Sequence, residues 1–372
     1  MSNSQTTVFM DHIQEYATQY FVDLEPSQIE VQFEEARERT NSILYKFTLG
    51  DKVQSYSVLV KVPLYRGLPA SETQGVSYYK PRLFPRTEPR DMHRLEYAAL
   101  STIYEYFNNL DEKHLGAIRV LDYLPEHHAI LMEESRDPSL RQLFFETSRL
   151  HIAFKPRKLD LPFQNTGKWL HLYHGMSKED DVKIRHAYRY EYIEAVDNLT
   201  GFLAMASGDK AFFQKTASML EIGALKILPD LLPLGLGHGD FAMRNILVGP
   251  GARVSVIDTF AKWRTPIYED IGFFLTALKM SGPQLISQGT AFTLDKLVVY
   301  EHAFLKGYYD QNPIPYSAIR LYEILAMLDK WASVITHHQG RKFNVFGEVK
   351  VTLISRYLKR SIEYLCKEIN ES

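Results

Sequence analysis

The sequence changes from strand-like to helix-like patterning about a third of the way along the chain. Runs rich in β-branched and aromatic residues predict strands at 29–35, 42–50, 55–62, 117–124 and 128–135. One helical pattern, beginning at Asp91, interrupts these runs. Long helical patterns follow at 138–150, 166–176, 181–206, 209–224, 293–309, 315–337 and 347–369. Strands followed by helices predict an α+β protein in two parts, 1–134 and 135–372.

Composition excludes several classes of protein. With 372 residues, of which 45% are hydrophobic, the chain has enough apolar surface for a folded globular protein. Lysine and arginine number 43 against 45 acidic residues, a net charge of −2, so we expect no nucleic-acid partner. The single cysteine, Cys366, forms neither an internal disulfide nor a thiolate metal cluster. No apolar run predicts a membrane span and no leader pattern is present, so we predict a cytoplasmic protein of unknown oligomeric state.

The chemistry is concentrated in one strand-rich stretch among the helices. The segment His238–Asn245 leads into the apolar residues 246–248, a Gly-Pro-Gly turn and the apolar residues 254–257. This pattern predicts a short hairpin that brings Asp240, Asn245 and Asp258 to one rim. Phosphoryl transfer needs a carboxylate at the attacking hydroxyl, with an amide and a second carboxylate that offer oxygens to magnesium.

The order of these residues resembles the signature of the aminoglycoside phosphotransferase and choline kinase-like family, and is similar to the catalytic loop of protein kinases. The resemblance extends to Asp270, which follows Pro266. It implies a bilobal protein-kinase-like fold, with an N-terminal antiparallel sheet plus one helix and a larger, mostly helical C-terminal lobe. It also implies that Asp240 is the catalytic base, that Asn245 and Asp258 bind Mg2+, and that Asp270 braces the loop.

Two other residues of the loop are candidates for a catalytic role, His238 and Arg244. For His238 the alternative is a purely structural role, in which the ring positions the loop backbone. His171 and His174, three residues apart in a helical pattern, indicate a packing or solvent-exposed role rather than a zinc site.

The first part of the chain offers residues for a nucleotide. Lys61 ends a predicted strand and Glu96 lies in the helix that follows, the order expected of a lysine that grips phosphates and a glutamate that orients it. The alternative is a strand-edge lysine and a solvated glutamate. Arg90 and Arg94 are near enough in sequence to compete as partners of these groups.

The predicted phosphate-covering turn departs from the family because residues 36–42 contain no glycine. Ser42 and Arg39 are candidates for phosphate contacts, and an ordinary charged turn is the alternative. The resemblance places the segment that binds the nucleotide base at Met132, Glu133 and Ser135, through backbone groups. The sequence leaves the choice between ATP and GTP open.

The predicted activity is transfer of the terminal phosphoryl group of Mg-ATP or Mg-GTP to a hydroxyl of a small molecule. Thr259-Phe260 after Asp258, and the absence of an Ala-Pro-Glu motif downstream, favour a small hydroxylated acceptor over a protein. Sugars, amino alcohols and aminoglycoside-like compounds are all compatible. The alternatives are a protein kinase, a nucleotidyl-transferring enzyme of the same fold, and a pseudokinase that only binds nucleotide. The Pro-rich stretch 64–90 is predicted to be a long loop.

Overall fold

The computed structural model describes residues 3–39, 42–64, 89–149, 157–176, 182–259, 261, 263–339 and 345–371. The chain divides into two compact units. Within the described residues, the first unit comprises 3–64, 89–137 and 255–259, and the second comprises 138–254 and 261–371. The loop predicted at 64–90 lies, apart from its ends, outside the described residues.

The first unit is built on an antiparallel sheet. Its elements are α1 (Asn3–Tyr20), β1 (Glu30–Glu38), β2 (Ser42–Gly50), β3 (Ser55–Pro63), α2 (Pro89–Asn108), β4 (Leu115–Ala117), β5 (Val120–Leu124) and β6 (Ala129–Glu133). Five of the strands form a sheet in the order β1-β2-β3-β6-β5. The strands predicted from β-branched and aromatic runs are confirmed, except that the run 117–124 is divided between β4 and β5.

The register of this sheet places Lys61 near its centre. A tight turn joins β2 to β3, in which Asp51 Oδ1 accepts hydrogen bonds from the backbone N–H groups of Val53 at 2.7 Å and Gln54 at 2.8 Å. Lys61 consequently lies opposite Leu44 on β2 and Ile130 on β6. The lysine is therefore on a central strand, with hydrogen-bonded neighbours on both sides.

Helix α1 is an element that the sequence analysis did not assign. Phe9, Ile13 and Ala17, spaced by four, are fully buried on one face of the helix. They belong to the same core cluster as Phe47 and Val58 of the sheet. Burial of this face against the sheet stabilises the helix.

The second unit is mostly helical, as predicted. Its elements are α3 (Leu140–Glu146), α4 (Asp160–Gly175), β7 (Lys183–Ile184), α5 (Arg189–Ser207), α6 (Lys210–Ile227), β8 (Leu234–Leu236), β9 (Ile246–Val248), β10 (Val254–Val256), β11 (Trp263–Pro266), α7 (Ile267–Lys279), α8 (Gly282–Ile286), α9 (Leu294–Tyr309), α10 (Tyr316–Gln339) and α11 (Val345–Glu371). The last residues of β10 belong to the first unit. No helix in the described ranges is long and apolar enough to cross a membrane.

Helix α7, which carries Asp270, was not predicted. Ile271, Phe274, Leu275 and Leu278 are all fully buried and have the spacing of one helix face, a pattern that the sequence analysis did not use. Its close approach to α10 depends on Gly272, because a Cβ atom there would lie 2.7 Å from the backbone carbon of Tyr322. A glycine in mid-helix thus sets the position of α7.

Candidate active site

The loop that follows β8 is held by a buried carboxylate. Asp270 Oδ2 accepts a hydrogen bond from the backbone N–H of His238 at 2.7 Å, and Oδ1 accepts one from Gly239 at 2.8 Å. Gly239 has a φ of 81°, in the left-handed region where a side chain would be strained. The conformation of the His-Gly-Asp segment therefore depends on a glycine and on an aspartate from α7.

Asp270 is itself held by groups on α4 and α9. His174 Nε2 lies 3.2 Å from Asp270 Oδ2, and the Tyr308 hydroxyl lies 2.7 Å from His174 Nδ1. An imidazole with its proton on Nε2 donates to Asp270 and accepts from Tyr308. Burial alone would raise the pKa of Asp270, but the contacts with His174 and His238 outweigh it and hold that pKa below its usual range.

Sequence reasoning missed the connection of His174 and Tyr308 to the loop. The only signal was a pair of histidines three residues apart, His171 and His174, and the structure uses just one of them at the loop. The described residues contain no cluster of His, Cys, Asp and Glu suited to a metal ion. His174 is buried and hydrogen-bonded, a packing role of the kind that the sequence indicated.

Asp240 has a carboxylate that is fixed yet accessible. Asn245 Nδ2 donates to the Asp240 backbone carbonyl and to Asp240 Oδ2, both at 2.9 Å, and Arg244 pairs with Oδ1. The Asp240 side chain is 38% exposed, whereas Asn245 is 4% exposed. Within the described residues the amide oxygen of Asn245 accepts no hydrogen bond. The structure thus brings together three predicted site residues, Asp240, Arg244 and Asn245. The carboxylate of Asp240 and the amide oxygen of Asn245 are the two kinds of oxygen ligand that this loop offers.

His238 faces the interior of the unit. Its side chain is buried, and its Nδ1 accepts a hydrogen bond from the backbone N–H of Asp240 at 3.3 Å. The ring also makes edge contacts with Phe241 and Tyr173, at centroid distances of 5.4 and 6.0 Å. These contacts favour the second of the two roles considered for His238, positioning of the loop backbone.

The first unit brings together Lys61, Glu96 and Asp258. Lys61 Nζ lies 2.6 Å from Glu96 Oε1 and 2.9 Å from Asp258 Oδ1. Burial alone would lower the pKa of Lys61, but the two carboxylates outweigh it and raise that pKa above its usual value. Burial raises the pKa of Glu96, and the Lys61 ammonium opposes the effect. Asp258 has a positive φ of 60°, a conformation that aspartate tolerates better than most residues.

Of the two arginines that could compete for these partners, Arg94 is exposed on α2 and the side chain of Arg90 lies outside the described residues. Lys61 and Glu96 therefore form the pair that the sequence suggested. Asp258 belongs to the first unit, and Asp240 and Asn245 belong to the second. The predicted meeting of all three at one rim stays a prediction.

Residues predicted to contact phosphates and the nucleotide base lie on the sheet of the first unit. Arg39 N–H donates to Ser42 O at 2.7 Å across the β1–β2 turn, whose residues 40 and 41 lie outside the described part. The Ser42 side chain is buried and Arg39 is exposed. Their contacts with phosphate stay a prediction.

In the segment predicted to bind the nucleotide base, some backbone groups are hydrogen-bonded within the protein and others are not. Met132 is paired within the sheet, and Glu133 N–H donates to Arg119 O at 2.9 Å. Within the described residues the backbone N–H and C=O of Ser135 make no hydrogen bond. The binding of a nucleotide base by these three residues stays a prediction.

Comparison with known proteins identifies the fold. No family model and no curated protein sequence matches this chain. A putative aminoglycoside phosphotransferase from Ralstonia eutropha JMP134 aligns over 96% of this chain and 98% of its own, with 12% identity and a TM-score of 0.55. Choline kinase from Cryptosporidium parvum Iowa II aligns over 98% and 97%, with 11% identity and a TM-score of 0.54.

An ADP-bound aminoglycoside phosphotransferase aligns over 95% of this chain and 98% of its own, with 15% identity and a TM-score of 0.51. The chain therefore adopts the kinase-like fold of the aminoglycoside phosphotransferases and choline kinases. The predicted fold class and the structural resemblance are confirmed.

Proposed function

We propose that this protein is a phosphotransferase that moves the terminal phosphoryl group of a magnesium-bound nucleotide to a hydroxyl of a small molecule. The observation that carries the proposal is the Asp240 carboxylate, which is accessible and is held by Asn245 and Arg244 on a loop braced by a buried aspartate. The kinase-like fold supports it. Residues 1–134 are proposed as the nucleotide-binding lobe, and 135–372 as the lobe with the catalytic loop and the acceptor site.

In this mechanism Asp240 orients the acceptor hydroxyl and takes its proton as the oxygen attacks the terminal phosphorus. A bond from phosphorus to the acceptor oxygen forms, the bond from phosphorus to the bridging oxygen breaks, and the nucleoside diphosphate leaves. Hydrogen bonds from Asn245 limit the rotation of the carboxylate, and Arg244 keeps a positive charge beside it.

The nucleotide is proposed to bind through residues of the first unit. Lys61, oriented by the buried carboxylate of Glu96, neutralises phosphate charge. Arg39 and Ser42 add donors near the phosphates, and the main chain at 132–135 contacts the base. We propose ATP as the donor because one solved neighbour carries ADP.

Magnesium is proposed to bind to side-chain oxygens of Asn245 and Asp258. The Asn245 amide oxygen and the Asp258 carboxylate are hard oxygen ligands, the type that Mg2+ prefers over nitrogen or sulfur. Asn245 and Asp258 would hold the ion, which would neutralise negative charge on the nucleotide phosphates.

The test is magnesium-dependent nucleotide consumption over a panel of sugars, amino alcohols, nucleosides and aminoglycosides. Asp240→Asn should lower turnover by about 10²–10⁴-fold, the usual contribution of a general base, while nucleotide binding persists. Asp197→Asn, a matched change at an exposed position of α5, serves as the control. Wild-type turnover by Asp240→Asn would refute the proposal. Labelled protein as the product would indicate a protein kinase, and nucleotide binding without any product would indicate a binding module.

A further inference from the structure

A cavity of about 210 Å3 opens beside the catalytic loop, entirely within the second unit. It is lined by residues of α3, α7 and α10 and by the segments 242–244 and 280–282. Its volume is below the roughly 300–1,000 Å3 of sites for drug-sized ligands. The cavity therefore suits one end of a small molecule.

The charged residues that line this cavity are all cations. Arg141 on α3, Arg244 on the catalytic loop and Lys330 on α10 contribute to its wall, and no aspartate or glutamate does so among the described lining residues. The Arg141 guanidinium lies 5.0 Å from the centroid of the Phe145 ring, a stacking contact that limits its motion. Three cations from three separate elements thus face one small volume.

Ser281 adds a buried hydroxyl to the wall of this cavity. Ser281 is 6% exposed, and its Oγ is buried and makes no hydrogen bond within the described part of the chain. A buried hydroxyl without a partner is unfavourable, and Ser281 lines the same cavity as the cations. A ligand oxygen in the cavity would accept a hydrogen bond from this hydroxyl once the Ser281 side chain turns toward the cavity, because the oxygen is closed to solvent.

The cavity and the proposed catalytic base share one electrostatic environment. Arg244 lines the cavity and also pairs with the Asp240 carboxylate. Partial desolvation lowers the pKa of Lys330, and the positive charge of Arg244 lowers it further, while Asp329 and Asp240 act in the opposite direction. Lys330 is therefore close enough to respond to both Arg244 and Asp240, and a negative charge in the cavity would relieve the repulsion between the two cations.

We infer that this cavity binds an anionic group of the acceptor, so the substrate is a small hydroxylated oxyanion such as a sugar phosphate or a hydroxy acid. This inference rests on the proposed function. Arginine has five N–H donors, so Arg244 can keep its contact with Asp240 and still bind a ligand oxygen. The anionic end in the cavity would then hold the acceptor hydroxyl near Asp240.

The experiment compares small acceptors of different charge. The anions are glycerol 3-phosphate and glycerate, the neutral acceptor is glycerol, and the cation is choline. Anionic acceptors should give the highest kcat/KM. Arg141→Met and Lys330→Met should each raise the KM for the anionic acceptor by about 10-fold or more, as expected for the loss of a charge-assisted hydrogen bond. Lys226→Met, which removes an exposed cation from α6, should keep the wild-type KM. A lower KM for glycerol 3-phosphate would indicate that the cavity binds a phosphate, and a lower KM for glycerate would indicate a carboxylate.

Failure of the inference is distinguishable from failure of the proposed function. Turnover of glycerol or choline with no turnover of either anion would overturn the inference and leave the phosphotransferase intact. If no acceptor of any charge reacts, thermal unfolding with 10 mM glycerol 3-phosphate or glycerate decides about the anion site. A rise in Tm of the wild type that is lost in Lys330→Met would support it. No rise with either anion would overturn it.

Discussion

The carboxylate of Asp270 binds the backbone N–H of His238 at 2.7 Å, although 32 residues of sequence separate the two. The same side chain accepts a hydrogen bond from Gly239 and contacts His174. A helix and a loop that are distant in sequence are thereby joined at one buried carboxylate. The position of Asp240 depends on this junction because Asp240 follows directly in the chain.

Replacement of Asp270 should impair both turnover and stability. Asp270→Asn keeps the size of the side chain but turns one of two accepting oxygens into a donor, which then faces an N–H group. We expect kcat to fall at least about 10-fold and the free energy of unfolding to fall by about 1–3 kcal/mol, as for a buried group left unsatisfied. Steady-state kinetics and urea unfolding measure the two effects.

The control for this change is Asp295→Asn, in an exposed position of the first turn of α9. It should leave kcat at the wild-type value and lower the free energy of unfolding by no more than about 1 kcal/mol, the size of an exposed helix-dipole interaction. A wild-type kcat in Asp270→Asn would show that the junction does not control the loop.

Glu269, the neighbour of Asp270, should make stability depend on pH. Burial raises the pKa of Glu269 to about 8, with the Arg185 guanidinium opposing the effect. The folded protein thus keeps a proton that the unfolded chain releases near its ordinary pKa of about 4.3. The contribution of Glu269 to stability therefore declines as pH rises from about 4.3 to 8.

Glu269→Gln, which stays neutral, removes this decline. Relative to the wild type, the variant should gain at least about 1 kcal/mol of unfolding free energy between pH 5.5 and pH 8.5, measured by urea unfolding at both values. Glu221→Gln, at an exposed position of α6, is the comparison and should show no such gain. Equal pH profiles for Glu269→Gln and the wild type would rule out the raised pKa.

The pair formed by Lys61 and Glu96 should show strong coupling. Lys61→Met leaves the Glu96 carboxylate buried without its cation, which destabilises a protein by about 3–5 kcal/mol. The double change Lys61→Met with Glu96→Leu removes both charges and should be less destabilising than Lys61→Met alone. Urea unfolding of the two single variants and the double variant measures the coupling energy.

For nucleotide binding, Glu96→Gln should raise the KM for the nucleotide, because Lys61 loses the carboxylate that orients it. Glu105→Gln, exposed on the same helix, should not. In the unfolding measurements, a double variant whose loss of stability equals the sum of the losses in Lys61→Met and Glu96→Leu would show that the contact between Lys61 and Glu96 contributes little to the folded state.

Gly272 should not tolerate a side chain. A Cβ atom at this position would lie 2.7 Å from the Tyr322 backbone carbon, so Gly272→Ala forces α7 and α10 apart. Overpacking of this kind destabilises proteins by about 1–3 kcal/mol, and here it would also displace Asp270. Thermal or urea unfolding gives the loss, and kcat shows whether the catalytic loop moves.

Gly175→Ala is the matched control, because a Cβ atom at Gly175 meets nothing within 4 Å. It should be neutral or slightly stabilising, since alanine restricts the unfolded chain more than glycine does. Equal unfolding curves for Gly272→Ala and Gly175→Ala would contradict the packing argument.

The sequence by itself determined the elements whose patterns are local. Runs rich in β-branched and aromatic residues predicted the strands from β1 to β6, and a Gly-Pro-Gly turn between apolar runs predicted the hairpin at 246–256. The spacing from Asp240 to Asn245 is also local, which is why their contact was predictable. Lys61 was noticed as a charged residue that ends an apolar strand, whereas its place on a central strand came from the structure.

The tertiary structure decided what depends on partners distant in sequence. Helix α1 is stabilised by the sheet that it covers, and α7 by the burial of its apolar face. Some contacts join residues that are tens to hundreds of positions apart. His174 contacts Asp270, and Arg141 and Lys330 line one cavity. Sequence spacing carries no signal for such contacts, because only the packing of helices brings the side chains within hydrogen-bonding or Coulombic range.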